Sequence, residues 1–283
     1  MTGDGEARRR RVMSSPEYAP APAVETVNLV RRFGEFVAVD QVNLRVERGQ
    51  FFGFLGPNGA GKSTTIKMLT GLLAPTGGEA RVLGHDIVRE PLEVKRRIGV
   101  VPEDLNLFER LTGAEMLGFT GRMYGLSREE TRERARELLA LMELDAEPRK
   151  LVVEYSHGMK KKLSLACALI HRPEALFLDE PFEGVDAVAS RTLKDLLLKL
   201  TARGLTVFLT SHVLEIVERL CTHIGIIAGG RLVTAGALDE LRRGIEVGAG
   251  DGDEGRGPVS LEDYFIRVVG GARPAGEDAL SWL

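Results

Sequence analysis

The sequence predicts an α/β fold in three parts: a parallel-stranded core, an antiparallel β-layer ahead of it, and a helical segment inserted into it. Three observations carry this. Gln50-Phe51-Phe52-Gly53-Phe54-Leu55 is apolar almost throughout, the pattern of a strand buried on both faces. Two later runs of the same kind, 175–178 and 206–210, each follow a helical pattern, as parallel βαβ units require. Between about 103 and 172 the texture turns helical.

Taken in chain order, each part has a local cause. Over 24–47 polar and apolar residues alternate, most clearly as Val42, Leu44 and Val46 with Asn43, Arg45 and Glu47 between them, so half-buried antiparallel strands are expected. Arg48-Gly49 turns the chain into the buried strand, and 225–228 adds a further candidate strand near the end of the core. In the helical stretch Ser127-Arg128-Glu129-Glu130 is a capping box, opening a helix that runs through Leu138, Leu139 and Met142. Another helix follows Ser156, carries Leu163, Leu165, Ala166, Leu169 and Ile170, and stops before Pro173.

The expected division is a tail over 1–22, a folded unit over 23–243 with its helical subdomain at about 103–172, a Gly-rich acidic linker over 244–258, and a C-terminal tail over 259–283. In that last tail Ser260-Leu261-Glu262-Asp263 is expected to cap a short helix. Arg8 to Arg11 sit in a Pro/Ala/Ser-rich leader and read as a solvated tail.

Composition limits the function. The 283 residues are 43% apolar, enough for a sizeable core. Lys and Arg number 38 against 41 Asp and Glu, a net charge of -3, so no nucleic-acid partner is expected from a global field. Cys167 and Cys221 stand in apolar stretches at no metal-ligand spacing and read as buried thiols. No run approaches the roughly 20 apolar residues of a membrane span, and no apolar segment backs the N-terminal arginines as a signal peptide would.

Chemistry enters at Gly56-Pro57-Asn58-Gly59-Ala60-Gly61-Lys62-Ser63, which fits G-x-x-x-x-G-K-[ST] between a predicted strand and a predicted helix, with Thr64 following. Glycines let backbone N–H groups turn inward around phosphate oxygens, and a helix N-terminus favours negative charge. Lys62 is placed to neutralise β- and γ-phosphates and the Ser63 hydroxyl to ligate Mg²⁺. The apolar run Leu176-Phe177-Leu178 then ends in Asp179-Glu180. Asp179 is the expected partner of Mg²⁺ and Glu180 the expected general base for an attacking water. The alternative for that acidic pair is a cap on the next helix.

With these pieces in place the sequence resembles the ATP-binding subunits of ABC transporters. Ser156-His157-Gly158-Met159 resembles the family's signature, Glu183-Gly184-Val185-Asp186 its D-loop, and Thr210-Ser211-His212 its switch histidine, all in family order from about 24 to 241. The resemblance implies a P-loop NTPase with a RecA-like core, an antiparallel β-subdomain and a helical subdomain. It also implies ATP and Mg²⁺ as ligands, and a head-to-tail homodimer or heterodimer of ATPase subunits. In such a dimer Ser156 and Gly158 of one subunit, with Asp186 nearby, face the ATP held by the other. His212 is implied to sense the γ-phosphate, and Phe33 to stack on adenine, with Phe36 close enough to compete.

Two departures stand out. Glu103 occupies the position where most relatives carry a glutamine touching Mg²⁺ and water, and His157 replaces a signature glycine, with Met159 or Lys160 in place of its glutamine. Lys160, Lys161 and Lys162 read as a solvated helical face. Leu105, Leu107 and Phe108 are expected in a surface loop, where exposed apolar residues suggest a partner contact. By resemblance that partner is a separately encoded transmembrane permease of a drug- or polysaccharide-type exporter, which places the chain peripherally at the cytoplasmic face of the cell membrane. The rival readings are a soluble ABC ATPase acting on nucleic acid or ribosomes, and a nucleotide-binding regulator with little turnover.

Overall fold

A computed structural model describes residues 20–248 together with Glu262, Phe265 and Ile266. Most of the expected N-terminal tail, the later part of the linker and the capping of a helix at Ser260 lie outside the described residues. In chain order the elements are β1 (Val24–Phe33), β2 (Phe36–Val46), β3 (Phe51–Leu55), α1 (Lys62–Leu69), β4 (Gly77–Val82), β5 (His85–Asp86), α2 (Pro91–Arg97) and β6 (Ile98–Val101). There follow α3 (Gly113–Met123), α4 (Arg128–Leu141), α5 (His157–Leu169), β7 (Ala175–Asp179), α6 (Ala187–Thr201), β8 (Thr206–Ser211), α7 (Leu214–Leu220), β9 (His223–Ala228), β10 (Arg231–Ala237) and α8 (Leu238–Gly248). No described helix is long and apolar enough to cross a membrane.

The strands form two sheets, one of order β2-β1-β4-β5 and one of order β10-β9-β3-β8-β7-β6. The first is antiparallel throughout. In the second β9, β3, β8, β7 and β6 run parallel, and β10 adds an antiparallel edge. Every residue of β3, β7 and β8 is buried, as a parallel sheet covered on both faces demands.

Alternation along these strands divides the apolar interior in two. Phe51, Leu176, Leu178, Val207 and Leu209 enter a cluster shared with α3, α5 and α6. Phe52, Phe54, Phe177 and Phe208 enter the other, shared with the antiparallel sheet. There the Phe52 and Phe208 rings stack at 5.3 Å. Each such side chain adds about 1.5–3 kcal/mol of burial, so the strand edge that carries the chemistry is rigidly backed.

The helical stretch resolves into α3, α4 and α5. Ser127 and Glu130 form the expected capping box on α4, and Thr112 and Glu115 form an equivalent one on α3. Ser156 caps α5, its hydroxyl accepting the Met159 N–H at 3.2 Å.

Three expectations are corrected. The lysine run is not a solvated face: Lys161 and Lys162 are buried, because consecutive helical residues lie about 100° apart and cannot share one side. Lys162 pairs with Glu143 at 2.8 Å and Lys160 with Glu109 at 2.9 Å. Of the three apolar residues in the loop at 105–108 only Phe108 is exposed, Leu105 and Leu107 packing partly against the core. Finally α8 continues to Gly248, taking in the start of the expected linker.

Candidate active site

The loop 56–61 leaves β3 at the C-terminal edge of the parallel sheet and enters α1. Its path requires glycine at two places. A Cβ on Gly56 would collide with the Ile227 carbonyl oxygen, and one on Gly61, where φ is +105°, would lie 2.5 Å from the Ala38 carbonyl oxygen. The loop is thus gripped between the two sheets. The first N–H groups of α1 have no acceptor within their helix and receive no side-chain cap. Lys62, 5% exposed, folds back so that its Nζ donates to the Gly56 and Pro57 carbonyls at 2.8 and 3.1 Å.

Asp179 and Glu180 arrive at the same edge from β7. Ser63 Oγ donates to Asp179 Oδ1 at 3.2 Å, and Thr210 Oγ1, from the end of β8, donates to that oxygen at 2.6 Å. The Thr210 hydroxyl also accepts the Glu180 N–H at 3.1 Å. Glu180 has φ +45°, in the left-handed region, and is 7% exposed. Its Oε1 lies 3.1 Å from His212 Nδ1 and 3.4 Å from Lys62 Nζ. Neither approach is aligned as a hydrogen bond, so this buried oxygen is left without a partner.

An orphaned buried carboxylate oxygen beside a lysine is the geometry in which an added polar group, a water or a phosphate oxygen, completes the hydrogen bonding. Mg²⁺ fits the donor set as well. Ser63 Oγ and Asp179 Oδ1 are hard oxygen donors already in contact, and Mg²⁺ is typically held by one or two protein oxygens with phosphate and water supplying the rest. Among the described residues no cluster of three or more His, Cys, Asp or Glu side chains could hold a metal.

A cleft of about 340 Å³ opens over these groups, lined by Asn58, Gly59, Gly61, Lys62, Ser63, Thr64, Glu103 and Glu180. Phe33 and Phe36, paired across the β1–β2 hairpin, form its far wall and are 47% and 63% exposed. Arg31 lies 4.5 Å over the Phe33 ring, leaving Phe36 equally available for stacking. Glu183, named from sequence only as the start of the D-loop, also lines the cleft. A larger cavity of about 680 Å³ lies between α3 and α4 and shares no lining residue with this cleft.

Ser156, Gly158 and Asp186 are not part of the cleft. They form their own group: His157 Nε2 lies 3.2 Å from the Glu183 carbonyl oxygen, and a Cβ on Gly158 would lie 3.1 Å from Asp186 Oδ2. Asp186 caps α6, accepting the Val188 and Ala189 N–H groups at 3.0 and 2.9 Å. Those bonds, chiefly that from Ala189, hold its carboxyl below the usual range.

Residues 39–183 match the ABC transporter family. The chain belongs to that family. This ABC ATP-binding subunit is 42% identical to the daunorubicin/doxorubicin resistance ATP-binding protein of Streptomyces peucetius over 80% of its own length and 68% of that protein. It is 38% identical to the linearmycin resistance ATP-binding protein of Bacillus subtilis over 77% and 70% of the two chains. A solved ATP-binding subunit of an ABC transporter superposes with a TM-score of 0.77 at 31% identity, covering 87% of this chain and 99% of that one. A dimeric ATP-binding cassette in a post-hydrolysis state with ADP and Pi gives 0.70 at 28% identity, covering 76% and 98%. The subunit is therefore an ATP-binding ABC ATPase with the P-loop NTPase fold.

Proposed function

We propose that this subunit binds ATP with Mg²⁺ in the cleft over the phosphate loop, hydrolyses it, and thereby drives export by a separate transmembrane permease at the cytoplasmic face of the membrane. The observation that carries the reading is the meeting of Ser63 and Asp179 at 3.2 Å beside the orphaned Glu180 oxygen. The loop N–H groups and Lys62 hold the β- and γ-phosphates, and Phe33 or Phe36 stacks on adenine. Ser63 and Asp179 hold Mg²⁺, with Glu103 at the edge of its reach. When bound, the ion supplies positive charge against the phosphate oxygens. Glu180 takes the proton of the attacking water, and His212, 3.1 Å away, bears on the same oxygen and reports the γ-phosphate.

Ser156 and Gly158 lie outside the cleft of their own chain, at the start of α5, where N–H groups and helix dipole make a second anion site. That placement supports a head-to-tail dimer in which they close on the partner's ATP, and the dimeric relative supports it too. The exposed Phe108, in edge contact with Phe119 at 5.2 Å, supports a permease contact there. The resistance-protein relatives support export as its direction. We also keep 23–243 as the ATPase unit, with 103–172 as its helical subdomain.

The test is turnover beside binding. Glu180→Gln is expected to keep ATP affinity and lower turnover by about 10² or more, whereas Lys62→Ala weakens ATP binding itself. Unchanged turnover in the first variant removes Glu180 from the reaction. A regulator with little turnover is the second reading, favoured by Glu103 in the cleft, and the wild-type rate in that assay separates the two.

A further inference from the structure

We infer that Lys161 is a positioning residue for hydrolysis, tying the backbone of Glu180 to that of Glu103 from within the helix that begins at Ser156. This rests on the reading of Glu180 as the general base. Lys161 is 2% exposed, and its Nζ donates to the Glu180 carbonyl at 3.2 Å and the Glu103 carbonyl at 3.4 Å. It shares a small apolar pocket with Val101, Leu165 and Leu178, so the two carbonyls are the acceptors its ammonium has.

Glu180 is what such a tether would serve. It is a non-glycine residue at φ +45°, a conformation that L side chains keep only where their surroundings hold it. Its N–H is pinned by Thr210 at 3.1 Å and its carbonyl by Lys161, with the Glu183 N–H adding a longer contact at 3.3 Å. Backbone bonds on both sides of the residue thus aim the carboxylate at Lys62 and His212. Lys161 also stands among carboxylates. Burial pulls its pKa down, while Glu183, Glu103, Asp179 and Glu180 oppose that pull. A buried cation here offsets part of the negative charge that Glu103, Asp179, Glu180 and Glu183 bring to this edge.

The linkage has a direction. Ser156 caps α5 and Lys161 lies five residues further along the same helix, so a displacement of α5 moves the atom that holds Glu180. Engagement of Ser156 by a partner's ATP would then be felt at this chain's own general base.

The experiment uses the full chain and compares Lys161→Met, Lys161→Gln, Lys161→Arg, Glu180→Gln and the Lys161→Met/Glu180→Gln double variant. Steady-state turnover is read beside affinity for a fluorescent ATP analogue without Mg²⁺, and beside the thermal midpoint. Lys161→Met is expected to lower kcat by about tenfold or more while KM and analogue affinity stay within about twofold. Lys161→Arg, which keeps the donors, recovers most of kcat. The double variant turns over no more slowly than Glu180→Gln alone, because both changes act through one group. If Lys161→Met does not fold, Lys161→Gln carries the same comparisons.

The proposal is overturned if the folded Lys161 variant keeps kcat within about twofold. It is overturned equally if analogue affinity and thermal midpoint fall in step with kcat, or if Lys161→Met slows the Glu180→Gln background as much as the wild type. Should Glu180→Gln itself leave turnover intact, the hydrolytic reading fails first, and that result stands apart from every Lys161 variant.

Discussion

Thr210 and Asp179 are joined by a 2.6 Å hydrogen bond between neighbouring parallel strands, and the same threonine hydroxyl accepts the Glu180 N–H. Thr210 is fully buried, so nothing from solvent replaces the hydroxyl when it is lost. Thr210→Val is expected to destabilise the fold by about 1–3 kcal/mol, the cost of leaving buried polar groups unsatisfied. It should also weaken Mg²⁺-ATP binding more than binding of ATP alone. Denaturant unfolding and paired binding titrations read both effects. Superimposable curves for variant and wild type on both would deny the hydroxyl any role.

Glu103 lines the cleft, at the position where the family resemblance implies a neutral glutamine. Glu103→Gln is expected to leave the thermal midpoint unchanged and to shift the Mg²⁺ concentration that gives half-maximal turnover. A metal titration of the two proteins decides this, and coincident curves make Glu103 a bystander.

Lys62 and Ser156 belong to different cleft walls in the proposed dimer. Neither a Lys62→Ala chain nor a Ser156→Arg chain should turn over alone. Mixed together they form one interface carrying both lesions and one carrying none, so part of the activity returns. Recovery rises with protein concentration because the active species is an association product. If heterodimers form and no activity returns, either both interfaces must fire together or Ser156 does not act across the dimer. A crosslink between Gly59 of one chain and Ser156 of its partner separates those outcomes.

His171 stacks on Tyr124 with ring centroids 3.6 Å apart, and its Nε2 donates to the Ile98 carbonyl at 2.9 Å. Nδ1 is buried without a partner, so protonating it would bury an unpaired charge. Burial first, with Arg134 adding to it and the Ile98 bond opposing, sets the folded pKa below the ordinary 6.5. The unfolded chain therefore binds the proton more readily, and this contribution to stability is lost as pH falls from about 6.5 through the folded value. His171→Phe keeps the stack and should flatten that part of the thermal midpoint against pH. A variant profile as steep as the wild type would clear His171.

The phosphate loop and Asp179-Glu180 were legible because each needs a fixed residue spacing at a strand end, and β3, β7 and β8 were legible because strands buried on both faces have few polar positions. The lysines at 160–162 were misread because charge alone does not tell which side of a helix a residue takes. Lys161 is satisfied by backbone carbonyls and Lys162 by Glu143, partners that carry no mark in the local sequence. Thr210 stood inside a recognised motif, yet its bonds to Asp179 and Glu180 span about thirty positions and emerge only from the β7–β8 register. Phe33 and Phe36 stay undivided for the opposite reason: both are exposed at the cleft mouth, where packing does not choose between them.

The placement of β3 between β8 and β9 has a consequence for synthesis. The strand that launches the phosphate loop leaves the ribosome early, while its neighbours come late: the turn before it bonds to Thr206, 157 positions downstream. At about 5–20 residues per second, those three phenylalanines wait roughly 10–30 s for a sheet to join. During that interval an uncovered β3 is a hazard for aggregation, and the grip on Gly56 by the Ile227 carbonyl does not yet exist. ATP cannot act as an early template for this fold, because its cradle is assembled only after β9 has been made.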